Sequence, residues 1–456
     1  MEEKIIAGIR TLYSTTKECP NVIRFRIKLK DKVDPEIFHS AVETTMKRYP
    51  YFLVELKNKG GQYYYVENPR PVVISDSLHG VNLNSTESNY HMVAFSWQDN
   101  WMSLDIFHGL TDGTGAYEVV RTLLYYYCLE RYGEELTKDG IRLVGDSITS
   151  EEWIDPVEAA QVPNSPEQKA AQAPNSSEQK AAQAPNNTEQ KAAQVPNNTE
   201  QKAEIPQALN LVKAAGLMDD TKRTVYSIAI SETDFMNFNK TNDGSPGTMV
   251  SLLFSRAIAK SHPESSKPVR IAFCVNQRNA LKATLAHQSL VGGAILEYKE
   301  QMKNWPLHKQ AAVYRGMVFV QTQKEKILAD VNNTKRLAQM IMSLETDQER
   351  LDTIDYINAK ADHVISAVVS YVGKADFKEA EKHIQDFRTW TKGPGNVVCV
   401  EISAVNGRFV LDVIQPFSSP VYVNSFLEEL EENGINYELQ DVQELDLPDV
   451  KLPWNK

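Results

Sequence analysis

Trp101-Met102-Ser103-Leu104-Asp105-Ile106-Phe107-His108-Gly109-Leu110-Thr111-Asp112-Gly113 passes from an alternating apolar stretch into a polar turn. The alternation predicts a strand with Met102, Leu104, Ile106 and His108 on one face, so that the histidine takes the last strand position in phase with buried residues. Asp112 follows four residues on, then Gly113. A helix is expected over 115–131, with an apolar stripe at Ala116, Val119, Val120, Leu123, Tyr127 and Cys128 and a stop at Gly133. A histidine leaving an apolar face at a strand end is well placed to act as a base in a partly dry cleft. Gly113 removes a side chain where something must approach the backbone closely. The competing reading is a core histidine followed by an Asp-Gly turn.

Working outward, 21–30 alternates as a strand, and Pro35 opens a helix with Ile37, Phe38, Ala41, Val42 and Met46 on its apolar side. Strands are expected at 52–57, 62–67 and 72–75, and at 91–96 paired with 101–108. Further on come a strand at 224–230, helices at 232–239 and 247–261, and strands at 269–275 and 291–298. A long helical region is expected over 306–344, then strands at 364–371, 383–390, 397–405 and 408–414 and a helix at 421–433. Strands and helices mix in both halves without regular βαβ alternation, which argues for two α+β domains on mixed sheets.

Between the halves lies a tract, 163–206, that repeats every eleven residues with prolines at 163, 174, 185 and 196. Each unit holds too little apolar surface to bury, and the next proline ends any helical turn it starts. The tract reads as a linker with a root-mean-square span of roughly 35 to 40 Å. The expected division is an N-terminal half at 1–162, this linker at 163–206, and a C-terminal half at 207–456 with an acidic C-terminal tail.

The 456 residues, 42% hydrophobic and 24% charged, match an ordinary globular protein, and no run reaches the roughly 18 apolar residues that span a bilayer. Net charge is −11, and nine carboxylates within 427–449 account for most of it. No basic footprint for nucleic acid remains, and the acidic end reads as a solvated helix and tail. Cys19, Cys128, Cys274 and Cys399 are far apart and form neither a disulfide framework nor a metal site. A cytoplasmic location is expected.

His108-x-x-x-Asp112-Gly113, after a strand and before a helix, resembles the signature of the CoA-dependent acyltransferase superfamily. That group includes chloramphenicol acetyltransferase, alcohol acetyltransferases, plant BAHD enzymes and peptide-synthetase condensation domains. Three further segments are similar to family landmarks: Arg48-Tyr49-Pro50-Tyr51-Phe52 at the end of the first helix, Ile271 to Asn276-Gln277-Arg278, and Val369-Ser370-Tyr371-Val372-Gly373. The resemblance covers nearly the whole chain. It implies two chloramphenicol-acetyltransferase-like domains with the active site in a channel at their interface.

By the same resemblance His108 is the general base, and Asp112 pairs with Arg278 as a structural ion pair. Gly113, Asn276 and Ser370 are expected along the substrate channel, with Ser370 a candidate oxyanion donor. Acyl-CoA, or an acyl-pantetheine on a carrier protein, would be the co-substrate, and a small alcohol or amine the acceptor. A thioester is already activated, so no metal and no tightly bound cofactor is called for. Phe107 stands where condensation domains carry a second histidine, and the BAHD motif Asp-Phe-Gly-Trp-Gly is missing. The pattern is closest to microbial alcohol acetyltransferases and related O-acyltransferases. The alternatives are an N-acyltransferase, a carrier-dependent condensation-type enzyme, or a non-catalytic binding relative.

Overall fold

The computed structural model describes residues 4–5, 8–133, 135–153, 207–361, 364–392 and 396–455. The repeat tract at 163–206 lies outside the described residues. The first half runs β1 (Lys4–Ile5), α1 (Ile9–Tyr13), β2 (Val22–Leu29), α2 (Pro35–Arg48), β3 (Val54–Lys59), β4 (Gln62–Glu67), β5 (Ile74–Ser75), β6 (Val93–Gln98), β7 (Trp101–Phe107) and α3 (Gly113–Tyr132). Local chemistry sets the helix ends. Asp34 accepts hydrogen bonds from the Glu36 and Ile37 amides, and Pro35 supplies the first helical residue of α2. Asp112 caps α3 through the Gly115 amide, and Gly133 ends it in the left-handed conformation at φ 65°.

The second half runs α4 (Leu211–Ala214), β8 (Thr224–Ser231), α5 (Glu232–Thr241), α6 (Pro246–Ser261), β9 (Val269–Asn276), α7 (Arg278–Leu281), β10 (Val291–Tyr298), α8 (Leu307–Gln321), α9 (Lys324–Met342) and α10 (Asp347–Ala361). It ends with β11 (Ala367–Tyr371), β12 (Ile384–Thr391), β13 (Val398–Val405), β14 (Arg408–Gln415), α11 (Val421–Glu432) and β15 (Tyr437–Glu444). Two large mixed sheets result, one ordered β12-β2-β7-β6-β5 and the other β10-β9-β11-β13-β14-β8-β15. A small third sheet is β1-β4-β3.

The seven-stranded sheet buries one face under helices. Val398, Val400, Ile402 and Ala404 of β13 join Leu252, Leu253 and Phe254 of α6 and Phe426 of α11 in one apolar core. Cys399, on the opposite face, packs with Trp390 of β12. β12 is therefore the hinge of the architecture. It comes from the second half of the chain, pairs antiparallel with β2, and inserts Phe387 into the first-half core beside Phe25 and Tyr117.

Several expectations need correction. The helical region over 306–344 is two helices, α8 and α9, because the chain turns extended at Gln323. Gln321 there exchanges both hydrogen bonds with the Ile295 backbone, at 2.9 Å each. α10 was not anticipated, although Thr346 and Glu349 form reciprocal capping bonds at its start. The acidic end is not a solvated tail. Glu429 is fully buried and meets Arg256 and Lys260 at 2.5 Å each. β15 pairs antiparallel with β8 as the sheet edge, and Asp441 meets Arg388 at 2.8 Å. The chain then returns to the first half, where Leu83 bonds to the Asp449 and Lys451 backbones and Trp454 stacks on Tyr13 at 4.7 Å. The carboxylates fold in because buried cations on both sheets await them.

Candidate active site

β7 ends at Phe107, so His108 is the first residue past the strand rather than its last. Its backbone amide still donates to Asn21 at 2.7 Å, and Asn21 sits at φ 49°. Met102, Leu104 and Ile106 are fully buried as the alternation requires, whereas His108 is half-buried. It lines a cavity of about 250 Å³ enclosed by β2, β9, β11, β12, β13 and the start of α3. Gly113, Asn276 and Ser370 line the same cavity.

Asp112 is fully buried and turned into the protein. Its Oδ1 accepts from the Gly115 amide at 2.9 Å and Arg278 Nη2 at 2.8 Å. Oδ2 accepts from Arg278 Nη1 at 2.9 Å and the Leu290 amide at 2.8 Å. The pair is bidentate, and the carboxylate has four donors for its four lone-pair sites. Arg278 is occupied in turn by the Ala286 and Gln288 carbonyls, each at 2.8 Å. Asn276 accepts from the Arg278 amide at 3.0 Å and reaches Thr114 at 3.4 Å.

The loop before α3 is clamped against 286–290. Thr111 Oγ1 donates to the His287 carbonyl at 2.6 Å. A Cβ on Gly115 would stand 2.2 Å from that carbonyl, and one on Gly113 would stand 2.8 Å from Val372. Both positions need glycine, the first for backbone and the second for a side chain of the opposing sheet.

His287 and Glu152 carry the clamp to the end of α2, and neither was anticipated. Arg48 holds Glu152 bidentately at 2.9 and 3.0 Å, Tyr51 donates to it at 2.9 Å, and His287 stacks on Tyr51 at 4.3 Å. The His287 amide donates to the Glu152 carbonyl at 2.9 Å. Burial, with Arg142 and Arg278 nearby, pushes His287 down to about 3, so it is neutral. Burial would raise the Glu152 carboxyl, but hydrogen bonds from Arg48 and Tyr51 outweigh it and hold the group below its ordinary range. The Arg-x-Pro segment is thus a structural footing for the histidine loop. His91 is also buried, with Nε2 at 2.8 Å from the Arg70 carbonyl. Among the described residues no cluster of metal-ligating side chains occurs.

The wall across from His108 has a carboxylate that sequence reading missed. Glu401 is 3% exposed and lies beside Ser370, its partner in the β11–β13 register. The Ser370 hydroxyl is hydrogen-bonded to both Glu401 and Cys274. Cys399 Sγ donates to Glu401 at 3.4 Å. Burial pushes the Glu401 carboxyl up to about 7, despite Ser370 and Cys399, and the Cys274 thiol up to about 12.

None of the protein-family models and none of the curated proteins matches the chain. Solved structures do. Polyketide synthase associated protein 5 from Mycobacterium tuberculosis superposes with a TM-score of 0.60 at 11% identity, covering 94% of this chain and 98% of that one. The condensation domain of the Monacolin K polyketide synthase MokA gives 0.57 at 10% identity, covering 94% and 96%. F. sporotrichioides TRI101, complexed with coenzyme A and T-2, gives 0.55 at 11% identity, covering 96% and 100%. The fold is that of the CoA-dependent acyltransferase superfamily. Within this acyltransferase fold, the cavity holding His108 is walled by both large sheets, and the strand that crosses between them, β12, supplies Thr389 and Thr391 to its lining.

Proposed function

We propose that the protein is an acyltransferase that carries an acyl group from acyl-CoA, or from the pantetheine arm of a carrier protein, to a hydroxyl acceptor. The observation that supports it is a half-buried histidine in a cavity between two sheets, on a loop whose only carboxylate is already saturated by Arg278, Gly115 and Leu290. That carboxylate has no lone pair left for substrate or for His108, so Asp112 positions the loop and His108 is the base.

In the reaction His108 takes the hydroxyl proton as the acceptor oxygen bonds to the thioester carbonyl carbon. The carbon–sulfur bond then breaks, and His108 returns the proton to the departing thiolate. The products are an ester and a free thiol, with no covalent acyl-enzyme. The oxyanion formed on the way needs a fixed donor. Ser370 is the candidate, sharing its single proton with Glu401. The cavity accommodates the reacting ends of the two substrates rather than a whole nucleotide. A condensation-type reaction on a carrier-borne acceptor is the second reading, favoured by the likeness to condensation domains.

Free thiol release from acyl-CoA, measured with a panel of alcohols and amines, tests the proposal. Turnover that depends on the acceptor and falls about 10² to 10⁴-fold in His108→Ala supports it. Wild-type turnover in a folded His108→Ala protein overturns the role of His108.

A further inference from the structure

Glu401 is the one feature of the cavity that acyl transfer does not use. A carboxylate has about four lone-pair sites, and the donors named beside this one are a serine hydroxyl and a thiol, both neutral and the thiol weak. Among the described residues no lysine, arginine or histidine is paired with it. The neighbouring buried acid, Asp412 on β14, is treated differently. It receives Ser227 Oγ at 2.5 Å and Trp390 Nε1 at 3.1 Å, and the Arg388 guanidinium stands near. Two acids therefore share one sheet face, and the one that lines the cavity is the one without a cation.

We propose that Glu401 is the acceptor-recognition group, and that the acceptor is an amino alcohol whose ammonium pairs with Glu401 while its hydroxyl is presented to His108. This rests on the acyltransfer reading of the cavity. An ammonium provides what the site lacks: positive charge and several strong donors in a place with little water, where charge-assisted hydrogen bonds are at their strongest. The ammonium keeps its protons throughout. Only the hydroxyl loses one, to His108, so the chemistry of the transfer is unchanged.

The groups facing Glu401 make the recognition pH-dependent in a definite direction. They are Cys274 on β9, Ser370 on β11, Cys399 on β13 itself and Asp412 on β14, none of them a cation. Desolvation keeps the empty carboxyl protonated up to about 7. Preference for the ammonium therefore rises as pH increases through that range, where Glu401 ionises, and fades as pH falls below it.

The test is the ratio of kcat/KM for short linear amino alcohols to that for the alcohols in which a methyl group replaces the ammonium, read by thiol release. Wild type is expected to favour the amino alcohol, and Glu401→Gln to lower the ratio about 100-fold, as expected for removing one member of a buried ion pair. The pH dependence of the ratio in wild type gives a second readout that needs no variant. A ratio near one in wild type, or one unchanged in folded Glu401→Gln, overturns the inference. If turnover still depends on His108 in that case, the acyltransfer reading stands. Thiol release that is indifferent to His108→Ala would overturn that reading instead.

Discussion

Asp112 and Glu401 are both buried carboxylates lining one cavity, and their surroundings are opposite. Asp112 has a guanidinium and two backbone amides. Glu401 has a hydroxyl and a thiol. The first environment stabilises the charged form and fixes a loop; the second penalises charge and leaves capacity for a ligand. Burial alone does not set the role of an acid. The count and charge of its donors do.

The largest expected effect falls on neither acid but on the residue between them. His108→Ala should cost about 10² to 10⁴ in turnover with no change in melting temperature, since a half-buried side chain at a cavity edge supports little packing. Thermal melting and thiol release on the same preparation check both halves of that statement.

Asp112→Asn and Arg278→Ala should each destabilise the fold by about 3 to 5 kcal/mol, because each leaves the other charge buried and alone. The double variant should lose less than the two losses added, since the residues touch. Denaturant unfolding of the four proteins measures the coupling. Additive losses would mean the pair is not one unit.

Glu401→Gln should act in the opposite sense. The folded carboxyl is raised to about 7 from an ordinary 4.5, so wild-type stability is fully present below about 4.5 and declines as pH rises to about 7. The variant lacks that decline, so its melting temperature should exceed that of wild type above neutrality and match it in acid. Equal melting curves at all pH values would remove the contrast with Asp112.

On the clamp side the sign reverses. The folded state refuses a proton at His287 down to about 3, whereas the unfolded chain accepts one near 6.5. Glu152, held below its ordinary range, adds to the same trend. Stability should therefore fall as pH drops from about 6.5, and His287→Gln should flatten the upper part of that fall. The smallest effect is expected from the repeat tract. Removing two of its eleven-residue units should leave turnover within a factor of about two, because closure entropy depends only weakly on loop length.

Much of this site was legible in local pattern. The apolar alternation of 101–107 marks β7, the Asp112 cap and Gly133 bracket α3, and Pro35 after Asp34 opens α2, all within a few residues of chain. The resemblance at His108, Asp112, Asn276 and Arg278 rests on similarly short motifs. α10 was legible too, in the Thr346 and Glu349 capping pair, and passed unread because the stretch has little apolar periodicity.

What the sequence determined by itself is therefore short-range: strand phase, helix caps, glycines at turns, and a repeat too polar to bury. Tertiary structure alone decided that β12 joins the sheet of β2, that an acidic stretch becomes an edge strand over Arg388, and that Glu152 and His287 brace a loop far from both in sequence. It also decided that Glu401 faces His108 across a cavity. A buried carboxylate in an alternating strand looks the same in sequence whether a cation, a serine or nothing lies opposite. Its charge state is set by desolvation and by donors on other strands, and those are known only once the sheets have packed.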